Sequence, residues 1–217
     1  MRYHYDSTVD LPASLPCRLY LLAYDTTKQR FTARQQLGLV LSAAALTELY
    51  LNGQITNIDG TPSVSAPQAA DPVLDPLLAQ IAESKPRSWV RWVNRGERAT
   101  RTAVQERLVT ARLIQIEARR LFGLIPFDRV SVCDERLVQQ LRDIVDRALA
   151  EEVPVNRVER ADAALVALAA AGGLRAAVSW RRARGGRQRI AEFAAAAGPA
   201  VPALRKAVAA RKSAGTG

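Results

Sequence analysis

Between Gln35 and Leu51 the chain carries a helical pattern that is apolar almost all the way round, and such a segment has to sit in the middle of something. Leu37, Leu41, Ala44, Ala45 and Leu49 recur at helical spacing, and Leu39, Leu46 and Tyr50 widen the stripe. Asn52-Gly53 supplies the stop, because both residues tolerate the left-handed conformation. The uncharged part, Gln35 to Thr47, is shorter than the roughly 20 residues a bilayer span needs. Its covering must therefore come from other elements of the same chain.

The rest of the sequence offers that covering. Leu77, Leu78 and Ile81 line a short helix after Asp75-Pro76. Trp89, Trp92 and Val93 line another, which Gly96 is expected to end. A further helix is expected from about Glu97 to Arg112, with Val104, Leu108 and Ala111 inward. Leu137, Leu141, Ile144, Val145 and Leu149 follow a capping Asp134. Leu165, Val166 and Leu168 mark a helix near Arg160–Ala171, and Ala-rich helices are expected around 174–184, 187–197 and 202–212. Leu19 to Ala23 with Phe31 to Arg34 reads as a small hairpin, 54–70 as a loop, and Ile114, Ile116, Phe122 and Leu124, flanking Glu117 to Arg120, as a second hairpin with Arg119 and Arg120 near its tip. The expected fold is all-α, mainly a helical bundle, with one or two small β-hairpins. It forms a single domain over 1–212, followed by a disordered tail at 213–217.

Chemistry-bearing residues are scarce. The one histidine, His4, lies beside the terminus, and the two cysteines, Cys17 and Cys133, are far apart and lack metal-ligand spacing. A His-based triad, a zinc site and a His-carboxylate iron site are therefore not expected. There is no Gly-rich phosphate loop and no Gly-x-Ser-x-Gly. The sequence is read as non-catalytic, needing no cofactor and no metal. Two unpaired cysteines and an N-terminus without an apolar leader segment point to a reducing, cytoplasmic setting. The Lys-poor, Ala-rich composition points to a bacterial source.

Charge carries the remaining signal. The net charge is +10, and residues 175–217 hold ten basic residues against the single acid Glu192. Residues 85–120 hold a second concentration, ten basic residues against Glu97, Glu106 and Glu117. Such asymmetry calls for an anionic partner, either an acidic membrane surface or nucleic acid. On a helix over 97–112, Arg98, Arg101, Gln105 and Arg112 fall within roughly 60° of each other. Arg98 and Arg101 are one turn apart, so two planar guanidinium forks can converge on one phosphate.

Several blocks occur together in a telling order: Leu19-Tyr-Leu-Leu-Ala-Tyr-Asp25, Glu48-Leu-Tyr-Leu-Asn-Gly-Gln-Ile55, Asp71-Pro-Val-Leu-Asp75, Trp89 to Val93, Arg98 to Ile114, and Ala161 to Leu174. In this arrangement the chain resembles the Golgi phosphoprotein 3 family over about residues 17–175. The resemblance implies a compact helical protein, peripherally attached to membranes, that binds a phosphoinositide headgroup and the cytoplasmic tails of membrane proteins. It also implies a lipid pocket lined by a Trp and an Arg flanking the first long helix and by two Arg on a later one. The first two positions fall on Ala33 and Ser42, which lack the chemistry, and the later pair falls on Arg98 and Arg101. An apolar, partly inserting hairpin of the relatives corresponds to about Leu113–Phe127, with Phe122, Leu124 and Ile125. The expected function is that of a peripheral membrane adaptor binding anionic phospholipid through Arg98 and Arg101, with homo-oligomerisation open. The alternative is a nucleic-acid-binding protein using the basic helix plus hairpin at 97–127.

Overall fold

The computed structural model describes residues 10–121, 125–178 and 184–215, with backbone only at 119–121 and 125–127. Among the described residues there are eight α-helices and three two-stranded antiparallel sheets, so the fold is mainly helical with small hairpins. The helices are α1 (Leu15–Leu22), α2 (Arg34–Leu51), α3 (Asp75–Glu83), α4 (Trp89–Thr110), α5 (Glu135–Leu149), α6 (Arg160–Ala171), α7 (Arg187–Ala196) and α8 (Ala200–Ala214). The strands pair as β1 (Tyr24–Asp25) with β2 (Arg30–Phe31), β3 (Ile55–Ile58) with β4 (Thr61–Val64), and β5 (Ile114–Leu121) with β6 (Ile125–Val132).

Helix α2 is the axis of the molecule. Every residue from Leu37 to Thr47 is buried, and α1, α4, α6 and α8 surround it. Its all-round apolarity is satisfied by helices on several sides rather than by one face. The only acid in α2, Glu48, lies near its C-terminal end and turns outward to α1. Its Oε2 accepts the Leu15 backbone N–H at 2.9 Å and the Ser14 hydroxyl at 3.4 Å. Ser14 makes no side-chain cap of its own, so a carboxylate from the neighbouring helix satisfies an orphan donor at the start of α1.

Four expectations change. The tryptophan helix and the arginine helix are one element: α4 runs unbroken from Trp89 through Gly96 to Thr110. Gly96 is not a terminator but a contact point. A Cβ there would lie 2.4 Å from Ser42 Oγ, so the absence of a side chain lets α2 and α4 touch. Trp89 and Trp92 face the core, as the arginine side of the pattern suggests, and Trp89 Nε1 donates to Asn57 Oδ1 at 2.8 Å.

The expected loop at 54–70 contains the hairpin β3–β4, turned by Asp59 (φ 48°) and Gly60 (φ 77°). Two successive positive φ values are what a type I′ two-residue turn demands, and Asp-Gly is its preferred pair. Leu19 to Ala23, expected to be extended, lies in and just after α1, and the short β1–β2 pair follows it. The last helix includes Ser213 and Ala214, so α8 continues into the segment expected as tail. The hairpin β5–β6 is present at the expected place and extends to Val132. Its tip residues Phe122 and Leu124, the side chains of Arg119, Arg120 and Ile125, part of the helix expected at 174–184, and His4 lie outside the described residues.

Candidate anion-binding site

Helix α4 positions the arginines. Its inward face carries Trp89, Trp92, Val93, Gly96, Thr100, Val104 and Leu108. At 100° per residue this places Arg98 close to the centre of the opposite, outward face and Arg101 about 60° to one side of it. Arg98 is exposed and Arg101 half-buried, and among the described residues neither has a hydrogen-bond or ion-pair partner. The neighbouring acid Glu97 is already taken. Arg211 of α8 grips it with two parallel bonds, Nη1 to Oε1 at 2.9 Å and Nη2 to Oε2 at 2.6 Å. That hydrogen-bonded pair raises the affinity of the Arg211 guanidinium for its proton. The carboxylate best placed to neutralise the α4 arginines is thus occupied.

The two arginines share the outward side of α4 but look into different surroundings. Arg98 stands at the edge of a recess of about 370 Å³ between α3 and α4, with Val73, Leu77, Ala99 and Ala103 in its wall. Arg101 lies toward α1. One turn further on, Gln105 Nε2 donates to the Tyr20 hydroxyl at 2.8 Å. Burial pushes the Tyr20 phenol above its ordinary value, and the Gln105 bond and the nearby Arg101 charge pull it partly back. A phosphate bridging both guanidinium groups would sit on the outer surface of α4, beside the recess rather than inside it.

The other two positions of the implied pocket are closed. Ala33 precedes α2 with φ 51° and offers no polar side chain. Ser42 is fully buried and its Oγ donates to the Trp92 carbonyl at 3.3 Å. Where α2 meets α4 the structure therefore has a serine–glycine contact in place of an anion ligand. Burial holds the Cys17 thiol up at about 12, which keeps Cys17 unreactive, whereas Cys133 is exposed. Among the described residues no group of His, Cys, Asp and Glu side chains is arranged to hold a metal. No helix among them is long and apolar enough to cross a membrane.

The profile of the family described as Golgi phosphoprotein 3 (GPP34) matches residues 15–211. The chain belongs to the Golgi phosphoprotein 3 family. The match extends past the blocks legible in the sequence, through α7 and α8 to Arg211 itself, so the helix that clamps Glu97 is part of the family's domain. Compared with curated proteins one by one, this family member matches none.

Sequence reasoning placed Arg98 and Arg101 on one helix. It missed that Arg91 and Arg95 belong to the same helix and the same outward side, because it ended the preceding helix at Gly96. The signal was available: a glycine with apolar residues continuing in register on both sides is as compatible with close packing as with a stop.

Proposed function

We propose that this Golgi phosphoprotein 3 family member is a non-catalytic, peripheral membrane adaptor. It binds an anionic phospholipid headgroup of phosphoinositide type through Arg98 and Arg101, works from the cytoplasmic side of a bacterial membrane, and presents cytoplasmic tails of membrane proteins as its cargo. One observation supports this most: two arginines one turn apart on an outward helix face, both without a partner, with the adjacent carboxylate of Glu97 already held by Arg211. Paired guanidinium groups in this arrangement gain charge-assisted bidentate bonds to a phosphate without first breaking an internal ion pair.

Vesicle sedimentation tests the reading. Binding should rise with the anionic lipid content of phosphatidylcholine vesicles and fall with salt. Arg98→Ala with Arg101→Ala should weaken it by about thirtyfold, at roughly 1 kcal/mol per arginine near an acidic surface. Unchanged binding by the double variant would remove these residues from the site. Equal binding to neutral vesicles at high salt would remove the electrostatic mechanism.

A further inference from the structure

The continuity of α4 has a consequence for what Arg98 and Arg101 can bind. With no break at Gly96, Arg91, Arg95, Arg98 and Arg101 project from one rigid helix. Taking Arg98 as reference, helical geometry puts Arg91 about 20° and Arg95 about 60° to one side, and Arg101 about 60° to the other. From Arg91 to Arg101 the row spans about 15 Å along the axis, at 1.5 Å per residue. Arg91, Arg95 and Arg98 are exposed, and none of the four has a hydrogen-bond or ion-pair partner among the described residues. The acids of α4 are Glu97, which Arg211 occupies, and Glu106, which lies beyond the row and lines the recess with Arg98. Four like charges on one stable helix repel each other, and only an extended negative partner relieves all of them at once.

We infer that the whole outward row of α4, Arg91-Arg95-Arg98-Arg101, lies along an acidic bilayer surface and engages several headgroups together, with Arg91 and Arg95 contributing as much as the pair beyond them. This rests on the reading proposed above and extends it from one headgroup to a surface. Two features favour a bilayer over nucleic acid. The aromatic side chains of α4, Trp89 and Trp92, are buried, leaving no platform on which the bases of a single strand could stack. Two turns beyond the row, past Gln105 and Glu106, the same side carries an exposed apolar side chain: Val109 is 43% exposed and falls about 20° from Arg98. Charges followed by an apolar side chain along one helix face suit the boundary between headgroups and acyl chains. The row makes the protein a sensor of acidic-lipid density, because contacts formed together give a steeper response than one contact alone.

The test compares the full chain with two variants, Arg91→Gln plus Arg95→Gln and Arg98→Gln plus Arg101→Gln. Binding is measured to phosphatidylcholine vesicles carrying graded amounts of phosphatidylserine or a phosphatidylinositol monophosphate, and circular dichroism melts confirm that each variant is folded. The Arg91/Arg95 variant should bind dense acidic vesicles about thirtyfold more weakly than the native chain, at roughly fivefold per arginine. Its binding should also rise less steeply with acidic lipid and depend less on salt. If it binds as the native chain does while the Arg98/Arg101 variant fails, the extended row is wrong and the two-arginine site stands. If only the Arg91/Arg95 variant fails, the row's N-terminal half is the site and the pair is displaced from it. If the native chain ignores acidic vesicles and instead retards a short RNA or DNA duplex, both the row and the headgroup reading fall.

Discussion

Glu48 shows how one side chain can be structurally useful and costly at once. It caps α1 from α2, yet burial raises its carboxyl to about 7, against the partial relief given by the Leu15 N–H and the Ser14 hydroxyl. An acid whose folded value lies above its unfolded value near 4.5 binds its proton more tightly when native. Above about pH 7 both states are ionised and the full burial cost is present. As pH falls from about 7 towards 4.5, the native state takes up the proton first, so stability rises on acidification. Glu48→Gln keeps an acceptor for Leu15 while removing the charge. The variant should be more stable than the native chain at pH 8, by up to about 3 kcal/mol, with the difference vanishing near pH 4.5. Urea denaturation at several pH values checks this, and a difference that stays constant with pH would exclude burial of the charge as its origin.

At the scale of elements, the contact between α2 and α4 decides the site. Ser42 and Gly96 bring the two helices together, and the same contact removes Ser42 from any role at the surface. Gly96→Ala should cost about 1–3 kcal/mol, because its Cβ would stand 2.4 Å from Ser42 Oγ in a packed interior. Adding Ser42→Ala removes the clashing oxygen and leaves Ser42 Cβ at 3.3 Å, a distance that a small shift can absorb. Thermal or urea unfolding of both single variants and the double variant should therefore show the double less destabilised than the sum of its parts. Additive costs would mean that the clash is relieved some other way. Because α4 does not end at Gly96, Arg91, Arg95, Arg98 and Arg101 all belong to one helix.

Across the whole molecule, the far end of the domain holds its centre. Arg211 bonds Glu97 of α4 and also donates through Nη1 to the Gln35 carbonyl at 2.5 Å, so one side chain joins α8, α4 and the first turn of α2. Arg211→Ala should lower stability by about 1–2 kcal/mol and speed hydrogen exchange in the last two turns of α8. Arg211→Lys should rescue little, since an ammonium cannot span both carboxylate oxygens and a carbonyl in one plane. Exchange in α8 unchanged from the native chain would show that the apolar contacts of Val201, Leu204 and Val208 hold it without the clamp. Periodicity was enough to place α2, α5 and α6, because each carries a continuous helical pattern between clear stops, and the order of short blocks was enough to suggest the family. The hairpin β3–β4 went unread because only Ile55 and Pro62 of its eight residues are buried, which leaves no alternation to see, although Asp59-Gly60 marked its turn. By itself, then, the sequence determined a mainly helical chain around α2 and put two arginines one turn apart, since local spacing controls both. Whether Gly96 stops a helix or packs inside one, which carboxylate Arg211 neutralises, and therefore which arginines remain free to bind, were decided only by tertiary structure. Those outcomes depend on residues many turns away in the chain, such as Ser42 against Gly96 and Arg211 against Glu97, whose approach no local pattern encodes.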